Sequence, residues 1–165
     1  MKKNLRSLVR TMSAFVLCCA ILAGSALAAN TEQVYHINGN TLTFGDTDPK
    51  FTPSPIARER YFADYTLTTS SFYTLSETCY PDDGNYLYIA VENLGDTYLW
   101  LELELEVDGR PITDRRALEP GEGPVITTYD ATDTNDLSCD FTITVSPLND
   151  GEEITFELVA AQLDR

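Results

Sequence analysis

From Leu99 to Val107 the chain alternates without a break. Leu99, Leu101, Leu103, Leu105 and Val107 take every second position, and Trp100, Glu102, Glu104 and Glu106 fill those between. A period of two puts the two sets on opposite faces of an extended strand, and no helix gathers either set on one side. Burying unpaired carboxylates is costly, so the leucine face must be the core face. Tyr86 to Val91 alternates in the same way, with Leu87, Ile89 and Val91 set against Tyr86, Tyr88 and Ala90. Between the two strands, Asn93-Leu94-Gly95 reads as a three-residue turn with Gly95 left-handed, a type I turn closed by a G1 bulge. That hairpin sets Glu92 opposite Asp96, Ile89 opposite Leu99 and Tyr88 opposite Trp100, so core meets core and surface meets surface.

Asp108-Gly109 predicts a second tight hairpin, pairing Val107 with Arg110 and Leu105 with Ile112. Continued further, the pairing brings Arg115 to Glu102 but also sets Arg116 opposite Leu101, in the core. The strand is therefore expected to bulge or end first. Pro111 has no amide hydrogen to give a ladder, which makes this an edge strand. Nearer the N-terminus, Asn38-Gly39 centres another hairpin, with Ile37 opposite Asn40, Tyr35 opposite Leu42, and Tyr35, Ile37, Leu42 and Phe44 on one face. Gly45 to Arg60 is rich in Pro and Asp and reads as a connector with little that could pack. Further strands are expected within Tyr61–Leu75, at Val125–Tyr129, Ser138–Val145 and Ile154–Ala160, with a Pro120-Gly121 turn before the second of these regions.

Short strands, frequent turns and no helical periodicity predict an all-β, two-sheet antiparallel β-sandwich. The order of features resembles extracellular immunoglobulin-like domains of bacteria. A strand ends at Val91-Glu92-Asn93, a long strand runs into Asp108-Gly109, and Leu118-Glu119-Pro120-Gly121-Glu122 follows. The resemblance covers about half the chain; it implies an immunoglobulin-like fold and no particular activity.

The start of the chain is read apart from the fold. Lys2, Lys3, Arg6 and Arg10 precede an apolar stretch from Thr11 to Gly24, and Ala26 and Ala28 are spaced as a cleavage site. This is the layout of a secretory signal peptide over residues 1–28, too short in its apolar part for a membrane span. Residues 29–59 then carry the first hairpin and connector, and 60–165 the sandwich domain. Residues 1–28 hold four of the 11 basic residues and none of the 26 acids, which leaves −19 (seven basic against 26 acidic) on residues 29–165. Such a charge disfavours nucleic acid and anionic lipid, and no membrane insertion is expected after signal cleavage. Cys79 and Cys139 are the two cysteines beyond residue 28, and in an oxidising compartment they are expected to form a disulfide.

Little in the sequence points to catalysis. His36 is the single histidine, so one chain cannot supply a Ser-His-Asp triad or a multi-histidine metal site. Glu102, Glu104 and Glu106 form a row about 7 Å apart along one strand rather than two walls of a cleft. No cofactor is expected, except that Asp130, Asp133, Asn135 and Asp136 crowd one segment and suggest a weak calcium loop. The predicted hairpin gathers Tyr86, Tyr88, Tyr98 and Trp100 on one outer face. The leading expectation is therefore a secreted, non-enzymatic binding or adhesion module that recognises a glycan or an extracellular protein through these rings. A structural or accessory subunit without a ligand and a small carboxylate hydrolase are the alternatives.

Overall fold

A computed structural model describes residues 32–46 and 59–165. The signal peptide expected at 1–28 and most of the expected connector lie outside these residues. Ten strands run through the described residues: β1 (Gln33–Ile37), β2 (Asn40–Asp46), β3 (Glu59–Thr69), β4 (Tyr73–Cys79), β5 (Tyr86–Asn93), β6 (Leu99–Val107), β7 (Arg110–Leu118), β8 (Val125–Asp130), β9 (Cys139–Pro147) and β10 (Ile154–Leu163). They form a six-stranded sheet in the order β1-β2-β8-β5-β10-β3 and a four-stranded sheet in the order β4-β9-β6-β7. Every pairing is antiparallel. The all-β, two-sheet reading therefore holds.

Turn chemistry predicted the two tight hairpins correctly. Asn38 and Gly39 both have positive φ, and Ile37 pairs with Asn40 and Tyr35 with Leu42. Asp108 and Gly109 do the same for β6 and β7, with Val107 opposite Arg110 and Leu105 opposite Ile112. The first hairpin is not separate from the rest: β2 pairs with β8, so β1 and β2 extend the larger sheet.

The third expected hairpin does not form. β5 pairs with β8 and β10, while β6 pairs with β7 and β9, so the two strands lie in different sheets. Gly95 is not left-handed; a Cβ there would come within 3.0 Å of the Thr155 amide nitrogen of β10. Asn93 organises the crossing. Its buried side-chain NH2 donates to the carbonyls of Thr97 (2.9 Å), Leu118 (3.1 Å) and Glu119 (2.9 Å), and its Oδ1 accepts the Gly95 amide. The leucine face is still the core face. Leu87, Ile89 and Val91 look in from one sheet, and Leu99, Leu101, Leu103 and Leu105 from the other, all buried.

β3 to β10 alternate between the sheets at every step except the β6–β7 hairpin, giving the orders β3-β10-β5-β8 and β4-β9-β6-β7. This is the connectivity of an eight-stranded jelly roll with two Greek keys, enlarged by the β1–β2 hairpin. It corrects the immunoglobulin-like expectation, whose order places early strands A and B together in one sheet.

The β6–β7 pairing runs on to Leu99–Leu118 without a bulge, so Arg116 does face Leu101. The expected interruption is absent because Arg116 brings its own counter-ion. Two residues back on the same face of β7, Asp114 accepts from its Nε at 2.7 Å, and both side chains are buried. Outward-facing Arg115 pairs with Glu102 at 2.7 Å, the partner that the uninterrupted ladder gives it.

Candidate binding face

The outer face of the four-stranded sheet is a regular grid. Reading across β4, β9, β6 and β7, one row holds Thr74, Thr144, Glu102 and Arg115; the next, Ser76, Thr142, Glu104 and Thr113; the last, Thr78, Asp140, Glu106 and Pro111. Hydroxyls link the first two strands: Thr74 to Thr144 at 3.4 Å and Ser76 to Thr142 at 3.0 Å, while Thr78 donates to Asp140 at 2.6 Å. At the other end of this face the chemistry changes. Ser146, Trp100 and Ala117 stand in register. Tyr98 precedes Trp100 by two residues on the same strand line, and the Leu148 amide donates to the Tyr98 carbonyl at 3.2 Å. Phe72 lies two residues before outward-facing Thr74. Phe72 is 71% exposed, Leu148 47% and Tyr98 43%, and Trp100 is half-buried. The Phe72 and Trp100 strands are two steps, or about 10 Å, apart, with the small Ser146 on the strand between them.

The four aromatic residues expected to form one patch are not brought together. Tyr98 and Trp100 belong to the face just described. Tyr86 and Tyr88 lie on the outer face of the other sheet, across the full thickness of the sandwich, because β5 and β6 pack face to face instead of pairing edge to edge. Tyr86 is buried with the Arg165 guanidinium 5.1 Å from its ring centre, and burial pushes the Tyr88 phenol above its ordinary pKa. Phe72 and Leu148 were missed by sequence reading. Both sit next to turns, and their approach to Trp100 depends on the β4-β9-β6 order, which no local pattern carries.

The other expected sites are also placed. Cys79 and Cys139 are direct partners across β4 and β9, and both are buried. The hydrogen bond to Cys139, followed by burial, pushes the Cys79 thiol up. Asp130 spends its carboxylate locally: Oδ1 caps the Thr132 amide at 2.9 Å, and Oδ2 accepts from Arg165 at 2.7 Å. Asp133 and Asp136 are exposed, and no group of three His, Cys, Asp or Glu side chains suited to a metal occurs among the described residues. His36 is exposed and hydrogen-bonds Thr41.

No protein-family model matches this chain, and no curated protein matches it. Among solved structures, Drosophila melanogaster CENP-C bound to CAL1 is similar at 12% identity over 81% of this chain and 79% of that chain, with a TM-score of 0.26. The CENP-C cumin domain of the same organism is similar at 12% identity over 73% and 78%, with a TM-score of 0.16. Likenesses at these scores carry no argument about what this chain does.

Proposed function

We propose that this chain is a secreted, non-enzymatic binding module that takes a glycan at the aromatic end of its four-stranded sheet. The observation that carries the reading is the gathering of Phe72, Tyr98, Trp100 and Leu148 at one end of a face otherwise made of hydroxyls and carboxylates. Flat rings stack on the apolar faces of sugar rings, and Tyr hydroxyls and the Trp N–H then meet sugar hydroxyls. Ser146, Thr144 and Glu102 stand next to the rings as further hydrogen-bonding groups. The carboxylate rows and the charge of −19 on residues 29–165 oppose anionic sugars, so the ligand is a neutral or amino sugar. Glu102, Glu104, Glu106 and Asp140 lie side by side on one open face, which suits binding rather than hydrolysis, since hydrolysis needs two acids facing each other across a bond.

A glycan array probed with the exported protein is expected to show neutral or amino-sugar ligands. Trp100→Ala and Phe72→Ala are each expected to weaken binding about tenfold or more, the effect of losing a central aromatic anchor. Full affinity in the double variant, or an array without any binding, would overturn the proposal.

Export and the disulfide are tested together by the mass of the secreted protein. The expected mass is that of residues 29–165 less two hydrogens, lost as Cys79 and Cys139 join. Their direct cross-strand pairing supports the bond. A bridge closing a loop of about sixty residues is worth about 4 kcal/mol in the chain-entropy model. Retention of residues 1–28, or two alkylatable thiols after unfolding without reductant, would sink the corresponding half.

A further inference from the structure

The aromatic end of the four-stranded sheet is ordered in rows. Phe72 stands one residue before Tyr73, the partner of Val145, and so lies beside Ser146. Ser146 in turn faces Trp100, and Trp100 faces Ala117. The row across the strands is therefore ring, small residue, ring, small residue, with nothing tall between the rings. Two residues along the strands, about 7 Å away, a second row runs parallel to the first: Thr74, Thr144, Glu102 and Arg115. Every member of it carries a hydrogen-bonding group, and Arg115 and Glu102 hold each other at 2.7 Å.

The spacing of the two rings limits what can bridge them. Phe72 and Trp100 lie on strands two steps, or about 10 Å, apart. A pyranose linked through opposite sides of its ring advances a chain by close to one strand spacing, so platforms two spacings apart meet every second sugar. In an extended, equatorially linked chain successive rings turn over, and every second ring presents the same face to the protein. Axially linked chains curl away from a straight row. The twist of the sheet adds a condition. Neighbouring strands turn by about 20–25°, so the surface under Trp100 is rotated by about 40–50° about the row from that under Phe72. A chain free in solution can twist with it, and a chain locked in a flat crystalline fibre cannot.

We infer that the site takes linear, equatorially linked glycans lengthwise across the strands, with alternate sugars stacked on Phe72 and Trp100 and the sugar edges hydrogen-bonded by the row from Thr74 to Arg115. This rests on the glycan proposal above and narrows it from neutral or amino sugars at large to extended soluble chains that reach both rings, about three sugars or longer.

The test is calorimetric titration of the exported protein with cello-, chito-, manno- and xylo-oligosaccharides, all extended and equatorially linked, and with malto-oligosaccharides, which curl. Each series runs from the disaccharide to the hexasaccharide. At least one extended hexasaccharide is expected to bind about tenfold or more tightly than its disaccharide, because the second stacking contact becomes intramolecular. The malto series is expected to show no such gain. Phe72→Ala is expected to bring that hexasaccharide down to the affinity of its disaccharide and to leave the disaccharide unchanged, since the larger Trp100 ring holds it. Affinity that does not rise with length, an equal rise in the malto series, a rise that survives Phe72→Ala, or binding only to crystalline cellulose or chitin would overturn the inference. Any of these results leaves the glycan reading standing, as does a glycan array whose ligands include no extended chain. An array with no ligand at all removes both.

Discussion

Asp114→Ala is expected to destabilise the protein by about 3–5 kcal/mol, because it leaves the Arg116 guanidinium buried and without a counter-ion. Among the described residues, Arg116 has no second acid. Its Nε and Nη2 both address Asp114, and its Nη1 is buried without a hydrogen-bond partner. Gly45 of β2 leaves room for the guanidinium, since a Cβ there would lie 2.3 Å from Nη1. Gln33 reaches Asp114 from β1 at 3.5 Å, at the limit of a hydrogen bond. Urea unfolding measures the loss, and the thermal midpoint should fall by roughly 10 °C or more. The double replacement Asp114→Leu with Arg116→Met is expected to recover most of the stability, within about 1 kcal/mol, since removing both charges also removes their desolvation cost. A single-variant loss below about 1 kcal/mol would show that water reaches the pair in solution.

Gly84→Ala is expected to cost about 3 kcal/mol or more. Gly84 has φ of +137°, and a Cβ there would stand 2.4 Å from the Leu163 carbonyl oxygen and 2.5 Å from its carbon. Those are backbone atoms and cannot swing aside. The same carbonyl accepts the Asn85 amide at 3.0 Å, and the buried Gln162 side chain donates to the Gly84 carbonyl at 2.8 Å. The clash therefore falls on the seam that joins the start of β5 to the end of β10. Gly109→Ala is the control. Its φ is +70°, but nothing lies within 4 Å of a Cβ there, so only the left-handed backbone penalty of about 1 kcal/mol remains. Equal losses at the two sites, read by thermal unfolding, would mean that the Gly84 contact relaxes.

What the amino-acid sequence determines by itself here is local. The alternation from Leu99 to Val107 settles which face of β6 is buried, because side chains of one strand change sides at every residue whatever lies next to it. Asn38-Gly39 and Asp108-Gly109 determine two hairpins and their registers, because positive φ at both turn positions suits few other residues. The aromatic patch failed at the next level. Apolar faces of β5 and β6 match equally well whether the strands pair edge to edge or stack across a core, so alternation cannot choose between the two. The choice rests on contacts remote in sequence. β9 takes the place beside β6, β10 takes the place beside β5, and Asn93 ties their connection to the end of β7. Arg116 follows the same logic, since a lone arginine in a strand signals an exposed or interrupted position until Asp114 is seen to share its buried face. Phe72 and Leu148 reach the neighbourhood of Trp100 only through the β4-β9-β6 order, a product of tertiary packing that no nearest-neighbour pattern encodes.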